Sequence, residues 1–391
     1  MSNVHQTAQV RYRRELVNGY GRRVWRSNWS RNLILDSGLE FVAGYAWAQC
    51  FCYLALGTTT NPTKRDSGSI TFTRTWNVVT ASAGFFTAGD VGRLLKFDSG
   101  AEMKITAFTD SQTVTVSSSG TLGVSEGTVW YVNDTGHGAE FLRTNSVSTS
   151  TGDCASTFLT DTWTHQRTFL TPVFGTSQTV KEIGWAPAAA GSLFGRDLVS
   201  GGGDYVPAGM RYKVIVQLSC RYSPTSSTDA GDVGTGGIVT TGAHGLEFCL
   251  PCTVRGDGST VSLDGGSSAG YSRFLEPSGS NYFNVSLCTA TTAIQPISAA
   301  TGTAATGAVG AANLWPSAYV SGSFRRDFSC TFAENTGNSA AIRSIHICNE
   351  YSYTGNGRAY WRQVFSAAQT KDNLHTLSLT WSMTWGRTLT N

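Results

Sequence analysis

Ionic side chains are scarce in this chain. Asp, Glu, Lys and Arg make up 14% of its 391 residues, against about a quarter in ordinary soluble domains. A surface so poor in charge repels itself weakly, which favours burial in an assembly. The net charge of +3 is too small to imply a nucleic-acid or membrane partner for the whole chain. Long apolar runs are absent, so no membrane-spanning helix is expected. The opening Met1-Ser-Asn-Val-His is polar, so no signal peptide is expected either. Helix signals are nearly missing: the one candidate begins at Asp36-Ser-Gly-Leu, where Asp36 or Ser37 caps and Leu39, Phe41, Val42 and Tyr45 form an apolar face.

Catalytic and metal-binding patterns are missing too. Nine Cys include two close pairs, Cys50-Phe-Cys52 and Cys249-Leu-Pro-Cys252, without the second C-x-x-C that zinc spacing requires. Reduced, buried thiols on strands are the expected state, in keeping with cytoplasmic production. None of the six His shows the i, i+4 spacing of a zinc helix. Gly266-Ser-Ser-Ala-Gly270 has the G-x-S-x-G form but sits among turn residues, with no helix to follow. The acids, from Glu40 to Glu350, are scattered rather than paired as sugar hydrolysis demands. The glycine-rich stretches 200–203 and 231–237 lack the lysine and the strand–helix context of a phosphate loop. No catalytic residue, cofactor or metal is therefore expected, and the chain is read as a non-enzyme.

What is present is glycine (44 residues), abundant Ser and Thr, and 11% aromatic side chains. These belong to an all-β protein with a hydroxyl-rich surface. The chain also repeats an order of elements over 167–222 and 325–386. Arg167-Thr-Phe-Leu-Thr-Pro-Val-Phe174 matches Arg325-Arg-Asp-Phe-Ser-Cys-Thr-Phe332; Val180-Lys-Glu-Ile-Gly-Trp185 matches Ile342-Arg-Ser-Ile-His-Ile347. Leu193-Phe-Gly-Arg196 then matches Tyr360-Trp-Arg362, and the period-two run from Lys213 to Tyr222 matches Thr376 to Trp385. Repeated β-units without a repeated catalytic motif belong to structural or binding proteins.

The expected fold class is all-β with minimal helix: two related antiparallel β-sandwich domains and a small inserted β-barrel-like module. Residues 1–68 and 134–222 form a discontinuous N-terminal sandwich, 69–133 the module, 223–240 a linker or loop, and 241–391 the C-terminal sandwich. Four or five strands at 8–12-residue spacing define the module. The Ala/Gly/Thr run 299–312 reads as a long loop, because Gly302, Gly307 and Gly310 weaken a helix. Two groups of side chains are candidate contact sites. Arg11, Arg13, Arg14, Arg22, Arg23 and Arg26 make segment 1–31 an anchor rich in donors for a partner's carboxylates. Trp315, Tyr319, Tyr351 and Tyr353 are flat rings suited to a sugar face or another subunit.

Several runs together resemble a family. They are Asn32-Leu-Ile-Leu-Asp-Ser-Gly-Leu39, Leu56-Gly-Thr-Thr-Thr-Asn-Pro-Thr63, Val180-Lys-Glu-Ile-Gly-Trp185, Leu193-Phe-Gly-Arg196 and Val206-Pro-Ala-Gly-Met210. Their order resembles that of bacteriophage virion proteins of the tail-fibre, baseplate and appendage type. Phe85 to Val132 is similar to a small β-module that recurs as an insert in phage tail proteins and shares its profile with a β-domain of ubiquitin-activating enzymes. That likeness implies fold alone. The resemblance implies a virion location, other virion proteins as partners, a homo-oligomer, and a mechanical role. The alternatives it leaves open are a host-glycan-binding adhesin module and a head-neck or capsid decoration protein.

Overall fold

The computed structural model describes residues 2–42, 52–145, 154–158, 162–224, 226–227, 237–241, 253–254, 260–261, 283–289, 308–348 and 359–389. It is an all-β, sandwich-type fold. In chain order the first part holds β1 (Ser2–Val17), β2 (Arg23–Arg26), β3 (Ser30–Ile34), the helix α1 (Asp36–Val42) and β4 (Tyr53–Gly57). The inserted module holds β5 (Lys64–Asp66), β6 (Phe72–Thr75), β7 (Val78–Ala81), β8 (Leu94–Phe97), β9 (Glu102–Phe108), β10 (Thr113–Val116), β11 (Thr121–Ser125) and β12 (Gly127–Trp130). The first unit resumes with β13 (Glu140–Thr144), β14 (Cys154–Phe158), β15 (Thr162–Leu170), β16 (Gln178–Val180), β17 (Glu182–Ala186), β18 (Gly195–Leu198), β19 (Asp204–Val206) and β20 (Arg211–Pro224). The remainder holds β21 (Ser226–Ser227), β22 (Gly237–Thr241), β23 (Thr253–Val254), β24 (Thr260–Val261), β25 (Phe283–Cys288), β26 (Ala308–Pro316), β27 (Arg325–Phe332), β28 (Ser339–Cys348), β29 (Ala359–Lys371) and β30 (Leu377–Arg387).

The duplication read from the sequence is present in the topology. One sheet of the first unit runs β13-β4-β17-β18-β3, all antiparallel. One sheet of the second runs β26-β25-β28-β29-β22, also all antiparallel. In both, the spatial order is third, second, fourth, fifth and first by chain position. The outer pair repeats too: β15 pairs with β20 and β27 with β30. Register carries the equivalence to single residues. Arg196 lies opposite Gly184, and Arg362 lies opposite His346, as the aligned motifs require. The first strands are the exception. Phe169 faces Val214 and Phe332 faces Leu377, so Phe169 is the equivalent of Phe332, and Arg167 and Arg325 are not counterparts. Arg167 is buried whereas Arg325 is exposed. A period-two pattern matches itself at several offsets, and only the cross-strand partner selects one.

The two units share a sheet instead of being joined by a linker. β1 lies antiparallel to β20 from Val4 to Val17, and along Ser2–Ala8 its other edge pairs in parallel with β30. The shared sheet therefore runs β14-β15-β20-β1-β30-β27-β26. Part of the expected linker is strand, since β20 extends to Pro224 and β22 pairs with β29. Of the run expected as a loop, residues 308–312 lie in β26, paired with β25. Gly310 weakens a helix but suits this strand, because its missing Cβ lets Gly337 pack against it.

Alternation explains which face is buried. β27 reads exposed and buried in turn, with Arg326, Phe328, Cys330 and Phe332 inward. One apolar core links both units, from Tyr12, Phe169, Trp185 and Phe194 to Val285, Phe328, Ile345 and Trp385. Trp185 joins the two sheets of the first unit, stacked on Phe169 at 5.8 Å and edge-on to Tyr12 at 6.1 Å. Trp385 ties the second unit to the first: its Nε1 donates to Leu39 O at 2.8 Å, on α1. Cys220, Cys288 and Cys330 are buried and form no disulfide, and burial pushes the thiols of Cys288 and Cys330 up to about 12.

The inserted module has eight strands in the order β11-β6-β7-β10-β9-β8-β12-β5, with a separate core around Phe72, Phe97, Ile105 and Val114. Its first strand, Lys64–Asp66, lies before the expected boundary at 69. It enters between the second and third strands of the first unit's sheet. The corresponding strands of the second unit are β25 and β26.

Candidate interaction surface

Several of the motifs that carried the resemblance meet in a buried clamp. The Lys181-Glu-Ile-Gly-Trp strand places Glu182 inward, and Leu193-Phe-Gly-Arg places Arg196 beside it; both side chains are essentially inaccessible. Arg196 Nη1 donates to Glu182 Oε1 at 3.1 Å and to Asn61 O at 3.0 Å. Its Nη2 donates to Pro62 O at 2.7 Å and to Asp134. Asn61 and Pro62 lead into the module and Asp134 leads out of it, so one guanidinium holds both stalks of the insertion. A planar five-donor fork suits this task where an ammonium would not. Thr59 Oγ1 donates to the second oxygen of Glu182. His137 covers Gly184, where a Cβ would sit 2.9 Å from its Nε2. Burial holds the His137 pKa down to about 4, so at neutral pH it is uncharged and donates through Nε2 to Ala55 O at 3.3 Å. These residues are framework.

A second buried cluster removes Arg14 from the expected anchor. Arg14 Nη1 pairs with Asp204 Oδ2 at 2.8 Å, and Tyr212 OH donates to the same oxygen at 2.5 Å. Tyr12 OH donates to Asp197 Oδ2 at 2.7 Å. Burial raises the Asp197 pKa to about 6. Arg14 is 4% exposed, so it is a correction to the sequence reading: period two turns Tyr12 and Arg14 inward and Arg11 and Arg13 outward.

The other five arginines lie on the surface. The β1–β2 hairpin pairs Glu15 with Arg26 and Leu16 with Trp25. Its turn is built by Asn18, whose Oδ1 accepts from the N–H groups of Tyr20 and Arg22, and by Gly21 at φ 79°. Tyr20 stands 95% exposed at the tip, with Val24 and Trp25 beside it and Arg22, Arg23 and Arg26 exposed around it. Arg11 and Arg13 lie over Trp29 at 4.9 and 5.1 Å. Glu15 is shared by Arg13, Arg23 and Lys213 at 3.4–3.7 Å. One carboxylate facing three cations leaves the patch positive. Across the sheet the same outer face is rich in uncharged polar side chains: Arg11 Nε donates to Gln217, Gln217 to Gln166, and Thr164 pairs with Ser219. Thr331 and Ser378 make a hydroxyl pair of the same kind on the second unit at 3.1 Å.

The aromatic candidates divide. Trp315 is half-exposed on β26. Tyr319 is partly buried and stacks on Trp385 at 5.6 Å, which makes it a packing residue; burial and the nearby Glu40 raise its pKa to about 12. Tyr351, Tyr353 and the Gly266–Gly270 motif lie outside the described residues. The sequence places Tyr20, Val24 and Trp25 among these arginines as strand positions, whereas their exposure and the place of Trp29 under Arg11 and Arg13 come from the fold. Among the described residues, no group of three or more His, Cys, Asp and Glu is placed to hold a metal ion, and no helix is long and apolar enough to cross a membrane. Compared with known protein families, with characterised proteins and with solved structures, the chain matches none.

Proposed function

We propose that this chain is a structural subunit of the tail region of a bacteriophage particle: a fibre, a tail-tip or baseplate component, or a fibre adaptor. It works through protein–protein contacts, in a homo-oligomer and with other virion proteins, and breaks no bonds. The single observation that carries the reading is the contrast on the solvent face of the shared sheet. A cationic aromatic hairpin projects from a surface rich in Ser, Thr and Gln. Tyr20 and Trp25 supply the rigid aromatic anchors that dominate interfaces, and the arginines beside them demand carboxylates on the partner. The framework supports this use. A continuous core and a strand shared by two units make a stiff body, and the clamped module projects from it.

The test is location and dependence. Antibodies against the chain should label the tail region of intact particles from a lysate. A Tyr20→Ala, Arg23→Glu, Arg26→Glu variant should fold normally by circular dichroism yet fail to enter particles. Label confined to heads, or full incorporation of the triple variant, would overturn the reading.

A further inference from the structure

We infer that the second unit carries a binding site for a neutral saccharide, in a bowl where β26 meets β27. The bowl has a volume of about 500 Å³. Trp315 forms one side, 50% exposed, and Ser329 is its cross-strand neighbour. Asn313, Thr331 and Thr336 supply amide and hydroxyl groups around it, and Ala311, Ala312 and Ala333 keep the floor open. Among the described residues, no charged side chain lines it. A pyranose presents an apolar C–H face and a rim of neutral hydroxyls. An exposed indole ringed by neutral donors and acceptors is complementary to both.

The far wall is built rather than incidental. It is the turn that follows β27, held from two sides. Gly310 in β26 lets the turn approach: a Cβ there would meet the Gly337 backbone at 2.5 Å. Lys371, 6% exposed, spends its ammonium on the same turn, with Nζ 2.8 Å from Ala333 O, 2.9 Å from Asn338 Oδ1 and 3.3 Å from Glu334 O. A buried lysine that satisfies carbonyls behind the wall fixes the loop and keeps its charge out of the bowl. Such preorganisation lowers the ordering cost of binding a weak ligand. The inference does not rest on the virion reading, because the bowl and the β1–β2 hairpin involve different residues.

The experiment is saturation-transfer NMR on the full chain with methyl β-galactoside, methyl α-mannoside, N-acetylglucosamine and the anionic N-acetylneuraminic acid as probes. At least one neutral pyranoside should receive saturation, with a dissociation constant near ~1 mM, the scale of a monosaccharide on an open site. Trp315→Ala should weaken it roughly tenfold or more and Thr331→Val about threefold, each judged against circular dichroism of the folded variant. Trp76→Ala, at another exposed Trp, should leave it unchanged. No transfer to any neutral pyranoside, transfer that survives Trp315→Ala, or binding of the anionic sugar alone would overturn the inference.

Discussion

Replacing Arg196 by Met tests the claim that the family-like motifs build a framework. The change removes a guanidinium that bonds to Glu182, Asp134 and the carbonyls of Asn61 and Pro62. Methionine fills similar space, so little cavity forms. The loss comes from Glu182, left wholly buried with Thr59 as its remaining donor, and from two stranded carbonyls. Breaking a buried pair by removing one partner costs about 3–5 kcal/mol. That is a large share of the ~5–15 kcal/mol by which folded domains are stable. Pairing Arg196→Met with Glu182→Leu should recover a good part of the loss, because the isolated charge is then gone. Arg196→Lys should fall between, keeping the charge but not the fork. Urea unfolding followed by circular dichroism supplies the free energies. Limited proteolysis supplies an independent readout: a loosened clamp should release the module by cleavage near 58–63 and 133–138. An Arg196→Met protein within about 1 kcal/mol of the parent, with unchanged cleavage, would refute the clamp.

Other perturbations have equally definite outcomes. Asp197, with its pKa raised to about 6, favours folding at low pH, and that contribution is lost as pH rises from about 4 to 6; His137, held down to about 4, favours folding at high pH, and its contribution is lost as pH falls from about 6.5 to 4. Each amounts to at most ~3 kcal/mol, and Asp197 to less because its side chain is partly accessible. The two oppose each other, so urea midpoints measured from pH 4 to 7 should expose one when the other is removed. Asp197→Asn should steepen the loss of stability toward acid, and His137→Gln should reverse it; parallel pH profiles for parent and variants would contradict the assignment. Gly310→Val drives a side chain into the Gly337 backbone and should cost roughly 1–3 kcal/mol or more by the same urea assay; Gly310→Ala at no cost would refute the close approach. Deleting residues 2–8 uncovers the β30 edge between Trp381 and Arg387. Light scattering should then show concentration-dependent aggregation, as unpaired edges invite it. A monodisperse deletion variant would count against β1 as the strand that seals both units.

The all-β class and the repeated order of elements were legible in the sequence, because each depends on local pattern: period-two alternation, turn residues and the order of motifs. The match of Arg196 with Arg362 also held, since flanking aromatics and glycines anchor that alignment. Of the interaction surface, the arginines of 1–31 were legible, and only the fold separated Arg14, turned inward onto Asp204, from Arg22, Arg23 and Arg26 on the hairpin. The sandwich division was not legible as built. The chain alone suggests an anchor at 1–31 and a linker or loop at 223–240, yet β1 pairs with strands 194–220 and 379 residues away. A strand's own residues specify which face is buried. Which neighbour lies along its edge is chosen by backbone hydrogen bonds that carry no side-chain signature, and these form only once the whole sheet is assembled. That is why the false equivalence of Arg167 with Arg325 looked sound in one dimension, and why the bowl beside Trp315 exists only where Gly310, Gly337 and Lys371 meet in three.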